Sequence, residues 1–139
     1  MKIYVFGNPL VKEDAMPLTI ISQLRQTYTD IDFITVDPNE NFPPESEKDL
    51  IILDEVKGIK QVTLLDYSDL SSIERSPISP HDYDLLLHLL LLKKMRKINK
   101  VKIIGIPYLM KVNKKALLHR VSELIDGLLS TEAVETGAS

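Results

Sequence analysis

Asp14, Asp54 and His81 are the residues whose types and placement could do chemistry together. Asp14 closes "GNPLVKED" (7–14), Asp54 follows the apolar run "LIIL" (50–53), and His81 stands in "SPHD" (79–82). Two carboxylates and one imidazole form a mixed oxygen and nitrogen donor set. Such a set suits a borderline divalent metal, zinc, nickel or iron, better than calcium. Each residue has a plainer reading as well. Asp14 suits a helix N-cap, with Glu13 complementing the helix dipole. Asp54 suits a turn cap, and His81 a helix start. Delivery of all three to one rim is what favours chemistry.

Composition removes other chemistries. There is no cysteine, hence no disulfide framework, thiolate metal site or cysteine nucleophile. There are only three histidines. His88 lies inside "LLLHLLLL" (85–92) and reads as a half-buried helix residue. His119 lies among Lys114, Lys115 and Arg120 and reads as facing water. No G-x-S-x-G elbow and no Walker motif occurs. A dinucleotide fingerprint is also missing, since Gly7 stands alone before Asn8-Pro9. Asp37 could serve as a ribose-binding acid, but Glu13 and Asp14 would face the pyrophosphate at the helix start and repel it. The net charge of −3 offers no field for nucleic acid. The longest apolar run falls short of the ~20 residues of a membrane span, and "MKIYVFG" does not read as a signal peptide. A cytoplasmic protein with no membrane or nucleic-acid partner is expected, and a monomer.

The elements that must position these residues alternate. "KIYVF" (2–6) reads as a buried strand. A helix is expected from Asp14 or Ala15 to Tyr28, with Leu18, Ile21, Leu24 and Tyr28 at helical spacing and Pro17 tolerated in the first turn. "IDFITV" (31–36) is a second strand, and a proline-rich loop spans 37–48. "DLIIL" (49–53), nearly without polar alternation, is a central strand. The short link "DEVKG" predicts an antiparallel hairpin around Gly58 into a fourth strand, 59–67. A loop over 68–80, a helix over 82–97, a strand over 101–106 and a helix over 113–129 follow. Asn113 is the N-cap of that last helix, and Leu117, Val121, Leu124, Ile125 and Leu128 form its apolar stripe. The basic run 93–100 reads as a solvated helix end, or as a docking patch.

This order predicts one α/β domain over 1–130 with a frayed tail over 131–139. Its architecture is three-layer α/β/α with a mostly parallel five-stranded sheet, the fourth strand a candidate for antiparallel. Ligands of such folds sit beyond the carboxyl ends of the strands, where Asp14, Asp54 and His81 are expected.

A first strand, then "GNPLVKED" opening a helix, "LIILDEV", "SPHD" before a leucine-rich helix, and "IIGIP" resembles the hydrogenase maturation proteases over most of residues 1–107. These endopeptidases trim the C-terminus of the nickel-containing hydrogenase large subunit. The resemblance implies that Asp14, Asp54 and His81 are the metal-binding positions and that Asp14 and Asp54 are the catalytic candidates. It places Gly7 and Asn8 toward the substrate. The implied partner is a hydrogenase large-subunit precursor, and the implied metal is nickel arriving with that precursor rather than held permanently. The chain departs from the family pattern at Val5, Ala15 and Pro17, where glycines are usual. A non-catalytic binding module on the same scaffold, chaperoning the precursor, is the alternative, followed by a small nucleotide-binding domain using Asp37.

Overall fold

The computed structural model describes residues 1–6, 16–36, 42–44, 46–56, 58–66, 95–108 and 113–135, with backbone alone at 16 and 132–135. The strands are β1 (Lys2–Phe6), β2 (Asp32–Val36), β3 (Asp49–Val56), β4 (Thr63–Asp66) and β5 (Lys100–Pro107). The helices are α1 (Met16–Thr19), α2 (Ile21–Thr27) and α3 (Lys114–Glu135). The sheet runs in the order β2-β1-β3-β5-β4. β1 is parallel to β2 and to β3, β3 is parallel to β5, and β4 is antiparallel to β5. The fold class is therefore α/β with a mostly parallel five-stranded sheet.

Side-chain alternation divides the core. On one face Ile3, Val5, Leu53, Ile104 and Ile106 pack against Ile20, Ile21 and Leu24 and against Leu117, Val121, Ile125 and Leu128 of α3. On the other, Tyr4, Phe6, Ile52, Val56 and Ile103 pack with Phe42 and Ile98. Phe42 meets Tyr4 and Phe6 edge-on, with ring centroids 5.1 and 5.0 Å away. Both faces are buried, as a parallel sheet requires.

Three expectations about elements change. The predicted first helix is two: Ile20, fully buried, interrupts it between α1 and α2. The predicted hairpin between β3 and β4 does not form, because β5 lies between them. A strand apolar on both faces gains most in the centre of a sheet, and β5 has that pattern, whereas β4 has only one buried residue. The link from Val56 to Thr63 is long enough to cross the two strand spacings, about 9.6 Å, and it turns at Gly58, whose φ is 92°. Finally, Met95–Lys97 form a turn, with Arg96 at φ 60°, so these last three residues of the predicted helix over 82–97 are not helical. The rest of that helix lies outside the described residues.

α3 begins as predicted. Asn113 Oδ1 accepts a hydrogen bond from the Ala116 N–H at 2.7 Å. It runs to Glu135, so 131–135, expected as frayed tail, are helical. The exposed Gly127 sits in its interior, and an added Cβ would meet nothing within 4 Å. Gly127→Ala should therefore stabilise the protein by about 1 kcal/mol through helix propensity alone. A rise of roughly 2–4 °C in the thermal midpoint is the expected reading.

Tyr28 ties α3 to the end of α2. Its hydroxyl donates toward the Asp126 carboxylate at 2.7 Å and the Ser122 carbonyl at 3.1 Å. Burial, then the hydrogen bond to Asp126, pushes this phenol from an ordinary value of 10.0 up to about 12. A raised pKa means the folded state holds the proton longer. The resulting stabilisation is complete below pH 10 and is lost as pH climbs through about 12. Tyr28→Phe should cost about 1 kcal/mol at neutral pH and should flatten the alkaline decline in unfolding midpoint. An unchanged decline would assign it to another group.

Candidate functional site

β1, β2, β3 and β5 are mutually parallel, so Phe6, Val36, Val56 and Pro107 end at one edge of the sheet. This is the edge at which α/β folds bind ligands. Two acids stand there on the central strand. Asp54 was expected just beyond a strand ending at residue 53; instead β3 continues through Asp54, Glu55 and Val56. The reason is β5, which supplies Gly105, Ile106 and Pro107 as register partners for those three residues.

Asp54 and Glu55 are 1% and 0% exposed. Consecutive strand residues face opposite sides. Asp54 alternates with Ile52 and Val56, so it lies on the face of Tyr4 and Phe6. Glu55 follows Leu53 and lies on the face covered by α2 and α3. The register of Tyr4 with Ile52 and Val5 with Leu53 puts Phe6, the last residue of β1, level with Asp54. Burying a carboxylate is costly unless it is hydrogen-bonded or paired; both residues have interaction partners, though the Oε2 atom of Glu55 makes no hydrogen bond. Acids held in such a place are more often functional than acids on a surface.

Beside Asp54, the register partner on β5 is Gly105, which offers no side chain. An added Cβ there would come within 3.0 Å of Ile59 Cδ1 and 3.2 Å of Val56 Cγ2. Gly105 is therefore where the link from β3 to β4 crosses β5, with Ile59 resting on bare backbone. Ala at this position asks the tip of Ile59 to move a few tenths of an ångström. Val asks for more than the site has. Gly105→Val should destabilise by about 1–3 kcal/mol through overpacking, read by denaturant unfolding, while Ile59→Ala combined with it should recover part of that loss. No recovery would mean that Ile59 is not the obstacle.

Of the residues singled out from sequence, Asp54 is the one the structure locates at the carboxyl edge. Asp14, His81, Gly7 and Asn8 lie outside the described residues, as do Glu13, Asp37 and His88. Among the described residues no group of three or more His, Asp or Glu side chains is arranged to hold a metal. His119 is exposed on α3, with Nε2 2.8 Å from Glu123 Oε1 one turn on. It faces water as expected. Glu55 was missed by the sequence reading, which placed it in a turn. The available signal was Val56: an apolar β-branched residue immediately after the two acids fits a continuing strand. Among the described residues no helix is long and apolar enough to cross a membrane.

No family model matches the sequence, and no curated protein matches it either. Solved structures match its fold. The α/β architecture, with its mostly parallel sheet and one antiparallel strand, is shared with hydrogenase maturation proteases. The maturation protease HycI from Thermococcus kodakarensis KOD1 superposes with a TM-score of 0.52 at 16% identity, over 93% of this chain and 92% of that one. A hydrogenase 3 maturation protease gives a TM-score of 0.53 at 16% identity, over 88% and 87%. A hydrogenase 2 maturation peptidase from Thaumarchaeota archaeon SCGC_AB-539-E09 gives 0.51 at 17% identity, over 94% and 99%. At these identities the likeness is one of fold.

Proposed function

We propose that the chain is an endopeptidase that removes the C-terminal extension of a nickel-loaded hydrogenase large-subunit precursor. The observation that carries this reading is Asp54. It is a carboxylate buried on the central strand, at the ligand-binding edge of a fold shared with maturation proteases, and the sequence pattern around it resembles theirs.

In this reading Asp14, Asp54 and His81 hold nickel that belongs to the substrate, and Gly7 and Asn8 contact the precursor chain. Two oxygen donors and one nitrogen donor fit that ion. When bound, such a cation polarises a carbonyl or lowers the pKa of water. The chain's own part is positional and basic. Asp54 is held between β1 and β5, so its carboxylate has little freedom to lose on binding. Gly105, its register partner on β5, contributes no side chain of its own beside it. In ionised form Asp54 or Asp14 accepts the proton of the attacking water. The sequence has no cysteine and no serine elbow to supply the nucleophile of a triad.

The test is incubation with nickel-loaded precursor, read by mass spectrometry. The expected result is loss of a C-terminal peptide from the loaded precursor and no cleavage of nickel-free precursor in the presence of a strong chelator. Cleavage of the metal-free form would overturn metal recognition and favour direct hydrolysis by two aspartates. A stable complex with uncut, loaded precursor would make the chain a binding module.

A further inference from the structure

The opposite edge of the sheet holds a cleft of about 390 Å³ between the amino ends of β3 and β5 and the far half of α3. Ile51 and Leu128, on the same face of the sheet, give it an apolar floor, and Lys100 and Lys102 project over it from β5. These two lysines alternate with Ile104 and Ile106, so they share one face of the strand. The same edge gathers more positive charge. Arg96 and Lys97 form the exposed turn just before β5, and the Asn99 N–H donates to the Lys48 carbonyl at 2.7 Å, bringing Lys48 alongside. Lys2 at this edge is paired with Glu47 at 2.8 Å. Lys48, Arg96, Lys97, Lys100 and Lys102 have no such ion pair among the described residues. In a chain of net charge −3, these five cations and Lys2 outnumber the described acids set beside them, Asp32, Glu47, Asp49 and Asp66.

We infer that this cleft docks an extended acidic segment of a protein partner, with acids at alternate positions and an apolar residue between them. Spacing and floor point to that class. Lys100 and Lys102 stand two strand residues apart, about 6.6 Å along the strand, which is also the separation of alternate side chains in an extended peptide. The floor of leucine and isoleucine accepts the intervening side chain. A compact polyanion fits less well, because it makes no use of the apolar floor and cannot place its charges on the lysines clear of Asp49, which lies in register with Lys100. Surface charges of this kind contribute mainly to association rate and specificity and weaken with salt. The inference does not rest on the endopeptidase reading, since the cleft lies at the edge of the sheet away from Asp54.

The test uses the full chain and a dye-labelled peptide carrying Glu-Leu-Glu in a Gly/Ser background, followed by fluorescence anisotropy. Wild type should bind the peptide, and affinity should fall as salt rises. The double variant Lys100→Gln with Lys102→Gln should lose about tenfold in affinity. The double variant Lys114→Gln with Lys115→Gln, two exposed lysines at the other end of α3, should bind like wild type. Circular dichroism of both variants checks that the fold is retained. Absence of binding by wild type, or an equal loss in both double variants, would overturn the inference. Displacement of the peptide by an equal concentration of inorganic phosphate would overturn it in favour of a small-anion site.

Discussion

Asp54→Asn should abolish cleavage of the nickel-loaded precursor while leaving the protein folded. The amide has nearly the shape of the carboxylate, so the fully packed surroundings of β3 need not move. The structural cost is one altered hydrogen-bond pattern at a buried position, about 1–3 kcal/mol. The functional cost is larger. The charge that attracts a cation is gone, an amide oxygen is a poorer donor, and an amide cannot take a proton from water. A loss of at least about a thousandfold in kcat/KM, or about 4 kcal/mol of transition-state stabilisation, is expected. Glu55→Gln is the matched control. It alters the neighbouring buried acid, on the other face of the same strand, and should leave cleavage within about tenfold of wild type. Cleavage by Asp54→Asn at more than a tenth of the wild-type rate would remove Asp54 from the mechanism. A comparable collapse in both variants would mean that the acids act through the fold.

The second large effect separates the histidines. His81→Ala should lower affinity for nickel-loaded precursor by about 10- to 100-fold, the scale seen when a metal site loses a supporting group, or by more for a direct ligand. His88→Gln should leave that affinity unchanged. The argument is one of sequence neighbourhood. His81 follows a long polar segment and precedes a helix, whereas His88 is enclosed by leucines on both sides. Equal losses from the two changes, with circular dichroism intact, would show that the imidazole had been assigned wrongly.

Legibility of the fold followed the range of the forces involved. β1 and the start of α3 were read to the residue, because a short apolar run and an asparagine cap are local signals. The partner of β4 was misread, since nothing near Gly58 says that a strand more than forty residues away will occupy the adjacent position. The same distant strand extends β3 past residue 53, so Glu55 was taken for a turn residue. Asp54 drew attention in the sequence because an acid directly after four aliphatics stands at a buried strand, and the structure finds it buried there. Glu55 was not legible, because charge was read as the end of a strand when pairing with β5 decided it. The departures at Val5, Ala15 and Pro17 go with an architecture that a solved structure at 16% identity still shares.

The insertion of β5 between β3 and β4 also sets an order of events. Strands adjacent in sequence cannot close the sheet by themselves; the place between them is filled by a segment made much later, with Asp49 waiting for Lys100 and Asp54 for Gly105. Pairings of such sequence separation are slow, because loop-closure entropy is lost before any contact repays it. Until β5 docks, one whole side of β3 is unpaired and its two buried carboxylates, Asp54 and Glu55, lack their enclosing wall. Burial of Asp54 is thus a late event in folding, coupled to completion of the sheet. In hydrogen exchange the amides of 54–56 should gain protection together with those of Gly105 and Ile106, as one cooperative unit.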